Sequence, residues 1–216
     1  MSKSGNIAAR LDALDSHTDL FGPDHPSTLA VVRELGVALW CAGDIDGAVD
    51  LLEQLLDRAT SCLGGEHPLR VEVLTTLGEI VFEQRRLERA GAIHREVLEQ
   101  RVRQAGANHP LALAAKADLA AVLFELGQDE EANSLEREAF ESARIHLGKS
   151  HSVTSVLAWN RALGYEGRGD LDSARKILSE ELTWLLAEDP SGLETDQNIV
   201  RGMVAERLNW DRAAAC

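Results

Sequence analysis

Four histidines, His25, His67, His109 and His151, are separated by equal steps of 42 residues. Imidazoles on a fixed period are the residue type that binds zinc or relays protons. Each sits in the same loop. The copies read Phe21-Gly22-Pro23-Asp24-His25-Pro26, Leu63-Gly64-Gly65-Glu66-His67-Pro68, Ala105-Gly106-Ala107-Asn108-His109-Pro110 and Leu147-Gly148-Lys149-Ser150-His151-Ser152. Metal chemistry fails on reach. Copies of one stacked unit lie about 8–10 Å apart, whereas zinc needs its nitrogens about 2 Å from one shared ion. The spacing predicts a junction histidine hydrogen-bonded to backbone. His17, His94 and His146 show no ligand spacing either. His94 shares a column with Leu52, Glu136 and Leu178. A His94–Glu136 pair between neighbouring second helices is one reading, and two polar side chains at a half-exposed position is the plainer one.

Other chemistry is sparse. No Ser-His-Asp or Cys-His arrangement stands out, and no glycine-rich phosphate loop is present. Asp44-Ile45-Asp46-Gly47 lacks the glutamate of a calcium loop and reads as a helix N-cap. Gly164, Gly167 and Gly169, around Tyr165 and Arg168, read as a loosened helix end. No cofactor, metal or catalytic residue is expected. An enzymatic or small-molecule role would need a closed pocket holding a buried carboxylate of raised pKa.

The elements that position these residues follow from the repeat. Gly22, Gly64, Gly106 and Gly148 fall where a helix must stop, and glycine tolerates the left-handed C-cap. Pro26, Pro68 and Pro110 suit the first turn of the next helix, with Ser152 in the fourth copy. First helices are predicted near 26–42, 68–84, 110–126 and 152–168, and second helices near 45–62, 87–104, 129–146 and 171–187. Residues 6–21 read as an N-terminal half-repeat and 194–211 as a C-terminal cap with Ile199, Met203, Val204 and Leu208 on one side. Residues 1–5 are read as disordered and 209–216 as an end that frays, so 6–216 forms one domain.

Other columns keep the same register. They hold Leu39, Val81, Leu123 and Tyr165; Gly43, Gly127 and Gly169, with Arg85 as the exception; and Ala48, Ala90, Ala132 and Ala174. Leu35-Gly36, Leu77-Gly78 and Leu119-Ala120 place a small residue after a leucine, as two close helices require. In its leucine, small-residue, aromatic and alanine positions the chain resembles the tetratricopeptide repeat. The long period and the Leu-Gly-x-x-His-Pro junction resemble the kinesin-light-chain variety over about residues 22–188. That variety also occurs in bacterial signalling and antibiotic-pathway regulators. The resemblance implies an all-α fold: a right-handed α-solenoid of four helix pairs between capping half-repeats.

It also implies a concave groove lined by the first helices. Carried over position by position, the groove residues include Arg33, Val37 and Trp40; Thr75, Glu79, Phe82 and Glu83; Ala121, Phe124 and Glu125; and Trp159, Leu163 and Glu166. The adjoining column holds Glu34, Thr76, Asp118 and Asn160, and only Asn160 carries the asparagine the variety favours for gripping a peptide. Trp40, Phe82 and Phe124 repeat at the 42-residue step. Aromatic faces beside carboxylates suit a ligand with apolar bulk and positive charge. The competing reading puts the rings in the core and the acids on a solvated face.

Charge narrows the partners. The net charge is −14 over 216 residues, which argues against phosphate backbones and anionic membrane surfaces. No apolar run approaches the ~18 residues of a membrane span, and the N-terminus lacks a signal-peptide core. Cys41, Cys62 and Cys216 have no disulfide spacing, so a cytoplasmic protein with reduced thiols is expected. The expected function is non-enzymatic capture of a peptide or partner helix bearing basic and apolar side chains. The alternatives are self-association into a homo-oligomer, a regulatory role like that of the bacterial regulators, and a small-molecule or enzymatic accessory role.

Overall fold

The junction histidines start the helices. In the computed structural model, which describes residues 3–214 and the side chains of 6–207, all four are N-caps. Each holds extended backbone, and its Nδ1 accepts the backbone N–H two residues on. His25 accepts from Ser27 at 3.2 Å, His67 from Leu69 at 3.2 Å, His109 from Leu111 at 3.3 Å and His151 from Val153 at 3.2 Å. One of the N–H groups that every helix start leaves bare is thereby satisfied. Replacing His67 with alanine is expected to cost about 1 kcal/mol in urea unfolding, and His67→Asp to recover most of it.

The hairpins follow in order. Helix α1 spans Lys3–Phe21, α2 Pro26–Ala42, α3 Ile45–Leu63, α4 Pro68–Glu83, α5 Leu87–Ala105, α6 Pro110–Glu125, α7 Asp129–His146 and α8 Ser152–Gly167. Asp44 caps α3 through its carboxylate, which accepts the Gly47 N–H at 3.1 Å. The turn inside each hairpin needs left-handed backbone. Gly43, Gly127 and Gly169 supply it, and in the second copy Arg85 adopts it instead, at φ 59°. The left-handed turn is therefore kept in all four copies even where the glycine is missing.

The first and last elements depart from expectation. Helix α1 begins at Lys3, so residues 3–5 are helical; residues 1 and 2 lie outside the described residues. The second helix of the fourth copy is not continuous. Helix α9 (Leu171–Ile177) passes into a π-helical turn, Leu178–Leu182, then a short α10, Trp184–Ala187. A 3-10 turn at Pro190–Gly192 leads to α11, Thr195–Ala214. That helix buries Val200 and Val204, while Ile199 and Met203 are exposed. The expected side of Ile199, Met203 and Val204 is thus rotated by about one residue, and the side chain of Leu208 lies outside the described residues. The helix runs through 211 to Ala214, and residues 215 and 216 lie outside the described residues.

The helices gather into two compact units, Met1–Gln104 and Ala105–Cys216. In the first, Leu29, Leu52, Leu55, Leu77 and Ile80 are fully buried. In the second, Leu113, Phe140, Leu157, Leu178, Leu182, Leu185 and Val204 form one core. The alanine column, Ala48, Ala90, Ala132 and Ala174, is buried throughout, which lets paired helices approach. Among the described residues no helix is long and apolar enough to cross a membrane.

Candidate functional site

In the first unit α2 and α4 are neighbours, and their expected groove residues engage one another. The Trp40 indole N–H donates to the Glu83 carboxylate at 2.8 Å. Arg33, half-buried, lies 3.5 Å from the Glu72 carboxylate. The one cation among the expected groove residues is therefore paired with a carboxylate. Glu79 is open to solvent, yet crowding by the chain around it and then the Glu83 charge raise its pKa above the usual carboxylate range, while Arg33 pulls it down. Arg101 also acts on Glu72, so the surplus acids of this face are Glu79 and Glu83. Val37 and Phe82 are half-buried beside them. Thr75 donates its hydroxyl to the Val71 carbonyl of its own helix at 2.9 Å, so its polar group is already used.

In the second unit the expected residues split between two hollows. Phe124, half-buried at the end of α6, lines a pocket of about 320 Å³ with Asp129, Asn133, Gly164, Gly167 and Arg168. Trp159 and Leu163 on α8 line a cleft of about 500 Å³ with Met203, Glu206 and Arg207 of α11. Trp159 also packs against the core, so its ring is part core and part wall. Glu166 is held by Arg207, whose Nε donates to it at 2.8 Å and whose second nitrogen bonds its other oxygen. Ala121, Glu125 and Asn160 are exposed. The contribution of α11 escaped the sequence reading, which treated that helix as a cap alone.

Buried polar residues were also missed. His94 and Glu136, expected at half-exposed positions, are each only 3% exposed. The column explains it, because Leu52 and Leu178, at the same place in the first and fourth copies, are buried too. His94 packs on Gly78, where an added Cβ would stand 2.9 Å from its Nε2. Burial lowers its pKa, against a raising backbone hydrogen bond at Gly78. Glu136 faces Gly164: a Cβ there would lie 3.1 and 3.2 Å from its two carboxylate oxygens. Its Oε2 is buried without a hydrogen-bond partner. Burial raises its pKa, opposed by the charges of Arg161 and Arg168.

Arg168 Nη1 stands 3.3 Å from that same point beside Gly164, and both arginines have further partners. Arg161 donates to the Tyr165 hydroxyl at 2.9 Å and lies over the Tyr165 ring at 5.0 Å. Arg168 donates to Asn133 Oδ1 at 2.6 Å and covers the same ring at 5.0 Å. Among the described residues no group of three or more histidine, cysteine or acidic side chains is placed to hold a metal ion. Cys41 and Cys62 are exposed free thiols; Cys216 lies outside the described residues.

A tetratricopeptide repeat model matches residues 33–99 and 69–145. None of the curated proteins matches the chain. Among solved structures, BtubC (BKLC) from P. vanneervenii is 16% identical with a TM-score of 0.77, covering 100% of this chain and 92% of its own. The nearly identical TPR-like repeats of a Podosopora anserina protein assigned to the kinesin light chains, in a single-substitution variant, are 22% identical with a TM-score of 0.71. That match covers 86% of this chain and 87% of the other. The shared fold is an all-α repeat solenoid of the kinesin-light-chain type.

Proposed function

The chain belongs to the tetratricopeptide repeat family, whose members in general mediate protein–protein interaction, and from that premise we propose that it is a non-enzymatic module holding a peptide segment or partner helix against its first helices. The observation that carries this reading is the pairing of half-buried rings with carboxylates. Trp40 and Phe82 stand beside Glu79 and Glu83 in one unit, and Phe124 and Trp159 line the hollows of the other. A ring that is half core and half wall keeps its shape without a partner and still offers a face. The acids and the net charge of −14 favour a partner with lysine or arginine among apolar side chains. Arg33, Val37, Thr75, Ala121, Glu125, Asn160, Leu163 and Glu166 complete the proposed walls. The location that fits is the cytoplasm, since Cys41 and Cys62 are unpaired.

Selection from a random peptide display library tests it. Sequences rich in Lys or Arg and apolar residues are expected to be recovered. The double substitution Phe82→Ala and Phe124→Ala is expected to weaken them at least tenfold, about 1.4 kcal/mol or more, with the helical circular dichroism retained. Recovery of acidic peptides, equal binding by the double variant, or its unfolding would each reject the reading.

A further inference from the structure

Two apolar side chains on neighbouring helices are left partly bare at the same place. Leu163 on α8 is 44% exposed and Met203 on α11 is 40% exposed, and both line the cleft of about 500 Å³ with Trp159, Glu206 and Arg207. The same two helices bury Leu157, Ala162, Val200 and Val204 in the core of the unit. The cleft is preformed, because α11 is pinned along its length. Gln197 donates to the Ser150 carbonyl at 2.8 Å, Arg201 to the Leu185 carbonyl at 3.0 Å, and Arg207 to Glu166 through two nitrogens. A hollow of this size and apolar lining is in the range that takes a large side chain or a small ligand.

Three of its walls favour a ring over an aliphatic chain. Trp159 offers an aromatic neighbour, the Met203 thioether a polarisable one, and the Arg207 guanidinium a flat cation that attracts a ring face. Charge decides what stands beside the ring. Glu166 balances Arg207, and Glu206, exposed at the cleft, leaves the three groups with one negative charge. That charge speaks against a second copy as the occupant. Among the described residues the exposed ring such a copy would bring is Phe21, which follows Asp19 and would meet Glu206 as a like charge.

We propose that this cleft holds one aromatic side chain of a partner peptide, with a lysine or arginine next to it in sequence: the ring enters between Trp159 and Met203 against Arg207, and the neighbouring cation meets Glu206. The idea rests on the reading above that the partner is a basic and apolar peptide, and it names where one of its rings anchors.

Met1 and Met203 are the methionines of the chain, so the carbon-13 methyl signal of Met203 reports on the cleft directly. The probe is the dipeptide acetyl-Phe-Lys-amide. A saturable shift of that signal with a millimolar dissociation constant is expected, with binding weaker by about threefold or more for acetyl-Leu-Lys-amide and for acetyl-Phe-Glu-amide. Acetyl-Ala-Lys-amide should give no saturable shift. Leu163→Gln changes an exposed position and should weaken the probe by about fivefold or more through lost apolar contact. Glu206→Lys should remove the preference for the lysine probe over the glutamate probe and keep the preference for a ring. Absence of a saturable shift in the natural protein, equal binding of the alanine probe, unchanged binding to Leu163→Gln, or an unchanged lysine preference in Glu206→Lys would overturn the site. A Met203 signal that moves with protein concentration alone would give the cleft to a second copy and overturn it too. The outcomes separate from the peptide selection: a silent probe with peptides still dependent on Phe82 and Phe124 removes this anchor alone. A bound probe with no peptide recovered removes the wider function alone.

Discussion

Placing glutamate at position 52, as the third copy does at 136, is expected to destabilise the first unit by about 3–5 kcal/mol. Leu52 is fully buried and packs on Gly36, where an added Cβ would stand 2.8 Å from its Cδ2. Glu136 survives in the same column because the charges of Arg161 and Arg168 oppose the rise that burial gives its pKa, and Gly164 leaves room for its carboxylate. Two periods earlier the positions of Arg161 and Arg168 hold Leu77 and Gln84, and Leu77 is itself buried. A carboxylate at 52 would therefore lose water with no cation in return. Urea unfolding followed by circular dichroism measures the loss. Leu52→Ala is the control for lost packing, at about 2–5 kcal/mol, and acid separates the two. A buried carboxylate has a raised folded pKa, so its burden shrinks as pH falls and the group becomes neutral. Leu52→Glu should recover part of its stability between pH 7 and 4.5, and Leu52→Ala should not. A glutamate variant as stable as the natural protein at pH 7 would mean that position 52 admits water or finds a cation.

What could be read from the chain beforehand was what is decided within a few residues. The histidine caps reach only two positions along the backbone, and the glycine stops and prolines act on their own torsions. These features repeat wherever the local sequence does, and Arg85 shows the turn persisting without its glycine. The places that sequence reading misjudged depend on which way a helix rolls or on what lies far off in the chain. Helix α11 carries apolar residues at 199, 200, 203 and 204, so two adjacent stripes were open to it. Packing in the second-unit core selected Val200 and Val204 and left Ile199 and Met203 outside. Glu166 stands at an expected groove position, and its ion pair with Arg207, 41 residues on, could not be read from the repeat. At 94 and 136 the signal was present, because both stand in a leucine column. Register, not polarity, decides their burial. Gly164, which the sequence suggests as part of a loosened helix end, sits where a Cβ would crowd the Glu136 carboxylate and Arg168.

Restoring leucine at position 94 tests that register from the opposite side, and His94→Leu is expected to stabilise the protein by about 1–3 kcal/mol at neutral pH. The imidazole is buried, its Nδ1 has no hydrogen-bond partner, and its column holds leucine in the first and fourth copies. Leucine fits the space, since Leu52 rests on Gly36 as His94 rests on Gly78. The gain should grow in acid. Burial depresses the folded pKa of His94 below its ordinary 6.5, so the unfolded chain takes up a proton before the folded one does. The natural protein then keeps its full stability above about pH 6.5 and loses it as pH falls toward the lowered value. Glu136 slopes the other way: its raised folded pKa gives stability that is full below the ordinary carboxylate range and lost as pH rises through the raised value. Subtracting the variant from the natural protein cancels the Glu136 slope and leaves that of His94. Urea unfolding of both at pH 7, 6 and 5 reads the difference, which should widen at each step down. A constant difference would mean that the histidine titrates alike folded and unfolded, and a loss of stability at pH 7 would show that the Gly78 contact outweighs the buried bare nitrogen.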